Sequence, residues 1–230
     1  MTSKLIVALD FSSQEQALAL IEQIDPDSCA LKIGSEMFTL FGTDFVRGLV
    51  RRGYKLFLDL KFHDIPNTVA HACRSAAELG VWMINVHASG GLNMMKAARA
   101  ALDPYGAKRP LLIAVTVLTS MDSSELPQIG VDASVLQQVS RLAHLSHQAG
   151  LDGVVCSAYE VEFIKSQLGS QFLTVTPGIR LSGESRDDQS RIMTPTEAAR
   201  LGSDYLVVGR PITRAPQPAT VINAILQSIR

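Results

Sequence analysis

The sequence predicts an α/β fold, a single (β/α)8 TIM barrel spanning residues 1–230, and three observations carry that expectation. Short, continuous apolar runs alternate eight times with longer segments of helical periodicity, as in a parallel sheet buried on both faces. Several helical segments stop at a glycine just ahead of the next apolar run, at Gly53, Gly80, Gly150, Gly169 and Gly202, which is the residue a helix C-terminus favours. The polar residues of the strands gather at their carboxyl ends, where barrel enzymes place their chemistry. A doubly wound open sheet is the alternative. It usually has fewer strands and a glycine-rich first turn, whereas the first turn here reads Asp10-Phe-Ser-Ser13.

Taken in order, residues 4–10 read as the first strand and 14–24 as a helix with apolar residues at helical spacing. Residues 29–34 form the second strand and 43–52 its helix. The third pair is 55–61 and 65–79, the fourth 82–88 and 92–102. Residues 111–119 are the fifth and most hydrophobic strand, followed by a helix over 133–149 with small and apolar residues on one stripe. The remaining strands are 153–157, 172–178 and 205–209, with helices over 160–168, 195–201 and 219–229. Eight helices are therefore expected. Two connections, 120–132 and 181–194, are longer than such loops usually are. In a barrel both lie on the active-site face, and 181–194, with Gly183 and a charged centre, is the better candidate for a closing loop.

Composition removes several function classes. Hydrophobic residues make up 47% of the chain, yet no apolar run reaches the roughly 18 residues of a membrane span. Twenty-one basic against 22 acidic residues leave a net charge of −1, with neither the basic stripe of a nucleic-acid binder nor a like-charge block. The three cysteines, Cys29, Cys73 and Cys156, are far apart and form no C-x-x-C pair, against a disulfide framework or a structural zinc site. No H-x-x-x-H, carboxylate triad or Cys/His cluster suggests a metal. The first residues read as a strand and not as a signal peptide, so a reduced, cytoplasmic protein is expected.

The strand ends carry the chemistry. The first strand ends at Asp10 and the second contains Lys32. The third ends Asp59-Leu-Lys61-Phe-His-Asp64, the fourth at His87, the fifth at Thr119-Ser120, and the sixth at Cys156-Ser157. The seventh runs into Gly178-Ile-Arg180 and the eighth into Gly209-Arg210. Asp59 and Lys61 are two apart, so strand alternation sends both to one face, with Leu58 and Leu60 on the other. A buried charge costs several kcal/mol unless paired, and pairing is available between Asp59 and Lys61 and between Asp10 and Lys32. A structural ion-pair plug would use the same residues. Asp64-Ile65-Pro66 also reads as a helix N-cap followed by a first-turn proline. Gly178–Arg180 and Gly209–Arg210 suit a phosphate: small residues let backbone N–H groups approach an anion, and arginine adds a bidentate fork. His87 reads as a core or supporting histidine, Cys156 as a small buried hydrophobe, and Met94 and Met95 as packing residues.

Asp59-Leu-Lys61-Phe-His-Asp64-Ile-Pro-Asn-Thr68 resembles the D-x-K-x-x-D-I-x-x-T signature of the orotidine 5′-phosphate decarboxylases, in their bacterial form. Leu9-Asp10, Leu31-Lys-Ile-Gly34, Leu118-Thr-Ser120, Thr176-Pro-Gly-Ile-Arg180 and Val208-Gly-Arg-Pro-Ile212 resemble further motifs of that family in order, so the resemblance covers essentially the whole chain. The shorter D-x-K-x-x-D is shared with related sugar-phosphate decarboxylases and synthases, which use a divalent metal.

The resemblance implies decarboxylation of orotidine 5′-phosphate to UMP without a cofactor, as the last step of pyrimidine nucleotide synthesis. It implies that Asp10 and Lys32 bind the ribose hydroxyls and join a charge network with Asp59. On that resemblance Asp59 and Lys61 lie at the scissile carboxylate, and Lys61 protonates C6. Asp64 and Thr68 reach into the neighbouring subunit's site, which makes the enzyme a homodimer. Thr119 and Ser120 meet the pyrimidine edge, Pro177 lines the pocket, Arg180, Gly209 and Arg210 hold the phosphate, and Gln189 bridges phosphate and base. A metal-dependent sugar-phosphate decarboxylase or aldolase, a non-catalytic phosphate-ligand sensor and a purely structural dimer stand as alternatives.

Overall fold

A computed structural model of the chain describes residues 4–181 and 193–229. Its eight strands are β1 (Leu5–Leu9), β2 (Ala30–Gly34), β3 (Leu56–Phe62), β4 (Met83–His87), β5 (Leu111–Val115), β6 (Gly153–Val155), β7 (Leu173–Thr176) and β8 (Tyr205–Val208). Each pairs in parallel with the next, and β1 closes the ring on β8 through Leu5–Val7 and Leu206–Val208. The (β/α)8 TIM barrel expected from the alternation is the fold.

The helices are α1 (Gln14–Ile21), α2 (Ser35–Arg51), α3 (Pro66–Glu78), α4 (Gly91–Ala100), α5 (Val135–Gln148), α6 (Val161–Leu168), α7 (Pro195–Arg200), α8 (Arg210–Thr213) and α9 (Pro218–Ser228). Among the described residues there are thus nine, not eight. The extra one, α8, is a single turn between β8 and α9, too short to show a periodicity. α2 begins at Ser35 rather than at residue 43 because two helical stretches meet across Gly42, whose φ is 65°. The five glycines expected to end helices all have φ between 77° and 91°, the left-handed region that only glycine enters freely. Polar side chains fix several helix starts: Ser13 caps α1, while Ser134 with Gln137 and Thr194 with Glu197 form capping boxes on α5 and α7.

The core has two layers, as strand alternation in a barrel requires. Leu5, Val7, Leu9, Leu31, Ile33, Leu56 and Leu58 face outward and pack against the helices. Ile6, Ala8, Ala30, Phe57, Met83, Ile113, Val175 and Val207 face inward and fill the barrel. The amino ends of the strands are tied by two ion pairs. Asp152 accepts both Arg109 guanidinium nitrogens at 2.6 and 2.7 Å and the Leu112 N–H. Asp204 accepts the Lys165 ammonium at 2.6 Å and the Thr174 N–H at 2.7 Å. The opposite, carboxyl ends are left free to build a site.

Candidate active site

Strands β5, β7 and β8 stop one to four residues short of the ends read from the sequence, because Val117, Leu118 and Thr119, Pro177 and Gly178, and Gly209 leave the ladder to line a cavity. β6 stops two short where Cys156 and Ser157 are buried outside it. This cavity, about 640 Å³, opens at the carboxyl ends of the barrel. Asp10, Lys32, Asp59, Lys61, Thr119, Ser120, Pro177, Arg180, Gly209 and Arg210 all line it. Its floor is apolar, from Ala8, Phe57, Val115, Val155, Val175 and Val207, so the charged groups sit on a low-dielectric base. β3 and the β7–β8 edge lie across the ring from each other. The Asp59–Lys61 pair and the Gly-Arg motifs therefore occupy opposite sides of one mouth.

On the β3 side the charges form a chain. The Lys61 ammonium donates to Asp59 Oδ1 at 2.7 Å. Lys32 Nζ lies 3.3 Å from Asp59 Oδ2 and 3.5 Å from Asp10 Oδ1. Gly34 keeps room for that lysine, since a Cβ there would sit 3.4 Å from Lys32 Nζ. Burial pushes the Asp59 carboxyl up. Lys32, Lys61 and the hydrogen bonds from Lys61 and Asn85 more than reverse it and hold the group below its ordinary value of 3.8. Asp59 is therefore held as an anion between the two lysines.

The local backbone is irregular. Leu58 pairs with Ile84 and Phe62 with Val86, so Asp59, Leu60 and Lys61 stand opposite Asn85 alone. This bulge puts Lys61 at φ 51°, the only non-glycine described residue with positive φ. Such a backbone costs on the order of 1–3 kcal/mol and persists where the surroundings enforce it. Asp59 and Lys61 do share a face, as alternation predicts, but they do so across a bulge and not along a regular strand. Two observations supply the enforcement. Asn85 Oδ1 accepts the Lys61 N–H at 2.8 Å, and Asn85 Nδ2 donates to Asp59 Oδ1 at 2.7 Å.

On the far side, Gly178 has φ 78°, and its carbonyl accepts the Met193 N–H while Arg180 N–H donates to Met193 O. These bonds pin both ends of the long connection after β7. Arg180 is buried, with Nη1 donating to the Ile179 carbonyl at 3.0 Å. Gly209 leads into α8, which Arg210 opens, and Thr213 and Arg214 add to the lining.

Two expected site residues are not brought to the cavity. Asp64 and Thr68 are exposed and do not line it. Asp64 is not the helix cap either: Ile65 occupies that position, and Asp64 Oδ1 accepts only the N–H of its neighbour, at 2.6 Å. Gln189, with most of the 181–194 connection, lies outside the described residues. His87 stands beside His63, ring centroids 5.4 Å apart. Burial, then His63 and Lys61, pushes its pKa down. Among the described residues no three His, Cys, Asp or Glu side chains gather as metal ligands. Sequence reasoning missed Asn85 and Arg214. A lone amide at an inward position of Met-Ile-Asn-Val-His was the signal for the first; Arg214, four residues after Arg210, was the signal for the second.

A family model described as Orotidine 5'-phosphate decarboxylase / HUMPS family matches residues 3–225. A relative from Legionella pneumophila named orotidine 5'-phosphate decarboxylase is 62% identical over 229 residues, covering 100% of both chains. One of the same name from Haemophilus influenzae is 61% identical over 229 residues, again covering 100% of both. The crystal structure of orotidine 5'-phosphate decarboxylase from Lactobacillus acidophilus superposes with a TM-score of 0.89 at 38% identity, covering 99% of each chain. With the charged pair, the arginine cradle and the barrel already placed, these matches assign the chain to the orotidine 5'-phosphate decarboxylase / HUMPS family.

Proposed function

We propose that the chain decarboxylates orotidine 5′-phosphate to UMP and CO2, with Lys61 delivering a proton to C6, and that it works as a homodimer without a metal or other cofactor. Membership of the family and the names of relatives more than 60% identical over the full chain support the activity. The observation that carries the mechanism is the Lys61 ammonium held at 2.7 Å on Asp59, in a cavity whose opposite side carries Arg180, Gly209 and Arg210.

The substrate has two anionic groups, a phosphate and a C6 carboxylate, and the cavity separates its charges accordingly. Arg180, Gly209 and Arg210 take the phosphate, Asp10 and Lys32 the ribose hydroxyls, and Thr119 and Ser120 the pyrimidine edge, with Pro177 against the ring. The carboxylate then faces Asp59 and Lys61. When the C6–CO2 bond breaks, its electron pair stays on C6 in the ring plane, where no cofactor delocalises it. A preorganised ammonium next to that carbon stabilises the developing charge. At ~3 Å and an effective dielectric of ~20 the attraction is about 5 kcal/mol. The lysine N–H proton then moves to C6, leaving a neutral amine that regains its proton from solvent. Enzymes lower barriers by up to ~20 kcal/mol or more, so the remainder comes from orientation and from binding energy at the phosphate end.

In the homodimer, Asp64 and Thr68 of each subunit complete the other's site. Their exposure in the single chain, with Ile65 between them 66% exposed, supports that placement. The test follows the ultraviolet absorbance of orotidine 5′-phosphate, with and without EDTA. Turnover unaffected by EDTA is expected. EDTA-sensitive turnover points to a metal-dependent sugar-phosphate enzyme, and nucleotide binding without turnover to a sensor.

A further inference from the structure

We infer that Asn85 is a positioning residue for the decarboxylation, one that holds both the Lys61 backbone and the Asp59 carboxylate; this rests on the decarboxylase reading above. Asn85 lies at the middle of β4, inward-facing between Met83 and His87, and is wholly buried. An amide in the apolar lining of a barrel costs free energy unless both of its ends are used. Here both are, and the two partners leave no choice of orientation. The Lys61 N–H can only donate, so Oδ1 faces it; the ionised Asp59 carboxylate can only accept, so Nδ2 faces that.

The consequence is a three-point frame. Asp59 Oδ1 receives Asn85 Nδ2 and Lys61 Nζ, each at 2.7 Å, while Oδ2 faces Lys32. The bulge removes the Lys61 N–H from the ordinary β3–β4 ladder, and the Asn85 side chain stands in for the missing strand partner. One side chain thus satisfies the irregular backbone that aims the lysine and orients the carboxylate that anchors its ammonium. Asn85 lines no part of the cavity, so it acts through these two residues and not on substrate.

The experiment compares Asn85→Ala and Asn85→Asp with the wild-type chain, measuring kcat and KM for orotidine 5′-phosphate from pH 5.5 to 8.5 and the Kd for UMP. Asn85→Ala is expected to lower kcat at least 30-fold at pH 7 while KM and the UMP Kd change less than threefold, because the phosphate end is untouched. Asn85→Asp keeps the acceptor for Lys61 but places a carboxyl against Asp59. When that pair holds a proton it reproduces the amide's donor; when it loses the proton the two anions repel. The charged and titratable groups around it are Lys32 on β2, Lys61 on β3, His87 on β4 and His63 after β3, while β5 presents Ile113 opposite. Its kcat relative to wild type is therefore expected to recover as pH falls.

An Asn85→Ala kcat within threefold of wild type overturns the inference, as does a loss carried mainly by KM. Should Asn85→Ala fail to fold, Asn85→Asp decides: activity equal to wild type at pH 8.5, or a deficit constant with pH, overturns it. A wild-type chain that does not turn over orotidine 5′-phosphate overturns the decarboxylase reading itself, so the two failures are distinct.

Discussion

On the proposed reading, Lys61 and Arg210 separate two jobs of the cavity, chemistry and phosphate binding. Removing the ammonium in Lys61→Ala is expected to lower kcat about 10³-fold or more, since a group acting on the transition state is lost, with the circular dichroism spectrum unchanged. Arg210→Ala would remove the charge-assisted contact proposed to the phosphate, a part of the substrate that does not react. Its KM is expected to rise about 10- to 100-fold, with a smaller loss in kcat; initial-rate kinetics distinguish the two patterns. His87 has a pH signature. Its folded pKa lies below the ordinary 6.5, so well above pH 6.5 it is neutral in both states and contributes no pH dependence. Below that value the unfolded chain takes up a proton that the folded one resists, and stability is lost as pH falls. The fall in Tm between pH 7 and 5.5 is expected to be smaller in His87→Gln. The charged side chains that line the cavity were legible in the sequence because most of them stand at the ends of apolar strands. Asn85 was not, because it is uncharged and its role depends on a partner strand whose register no local pattern encodes.

Among the elements, β3 carries the irregularity the site needs, and its neighbours carry the regularity that allows it. Asp152 and Asp204 each tie an incoming cation to a strand N–H at the amino ends. Gly153, at the start of β6, lets that strand approach β7 closely: an added Cβ would lie 2.2 Å from the Leu173 carbonyl oxygen. Because the obstacle is backbone, Gly153→Ala is expected to destabilise by about 1–3 kcal/mol, lowering Tm by roughly 2–4 °C per kcal/mol. Differential scanning calorimetry checks this. The eight strands were readable from their apolar runs, and the helix ends from five glycines. The single turn of α8 and the first half of α2 were not: the former is too short to repeat, and the latter is cut off from its second half by the positive φ at Gly42.

For the whole molecule, the proposed sharing of sites between subunits makes a quantitative prediction. Lys61→Ala and Asp64→Ala chains are each expected to be nearly inactive as homodimers. In the mixed dimer one site collects both substitutions and the other collects neither. Random exchange of equal amounts then restores about a quarter of wild-type activity, and a mixture no more active than its components refutes the shared site. Sedimentation of the wild-type chain at two subunits is the companion measurement. The β1–β8 seam has a further consequence. It joins the earliest strand to the latest, and it brings Asp10 within reach of Gly209, where an added Cβ would lie 3.9 Å from the Asp10 carboxylate. A nascent chain emerging from the ribosome owns the lysine and its aspartate after about a quarter of its synthesis, but owns no binding pocket until the eighth strand arrives. Chains that end before the eighth strand are therefore expected to show neither nucleotide binding nor turnover.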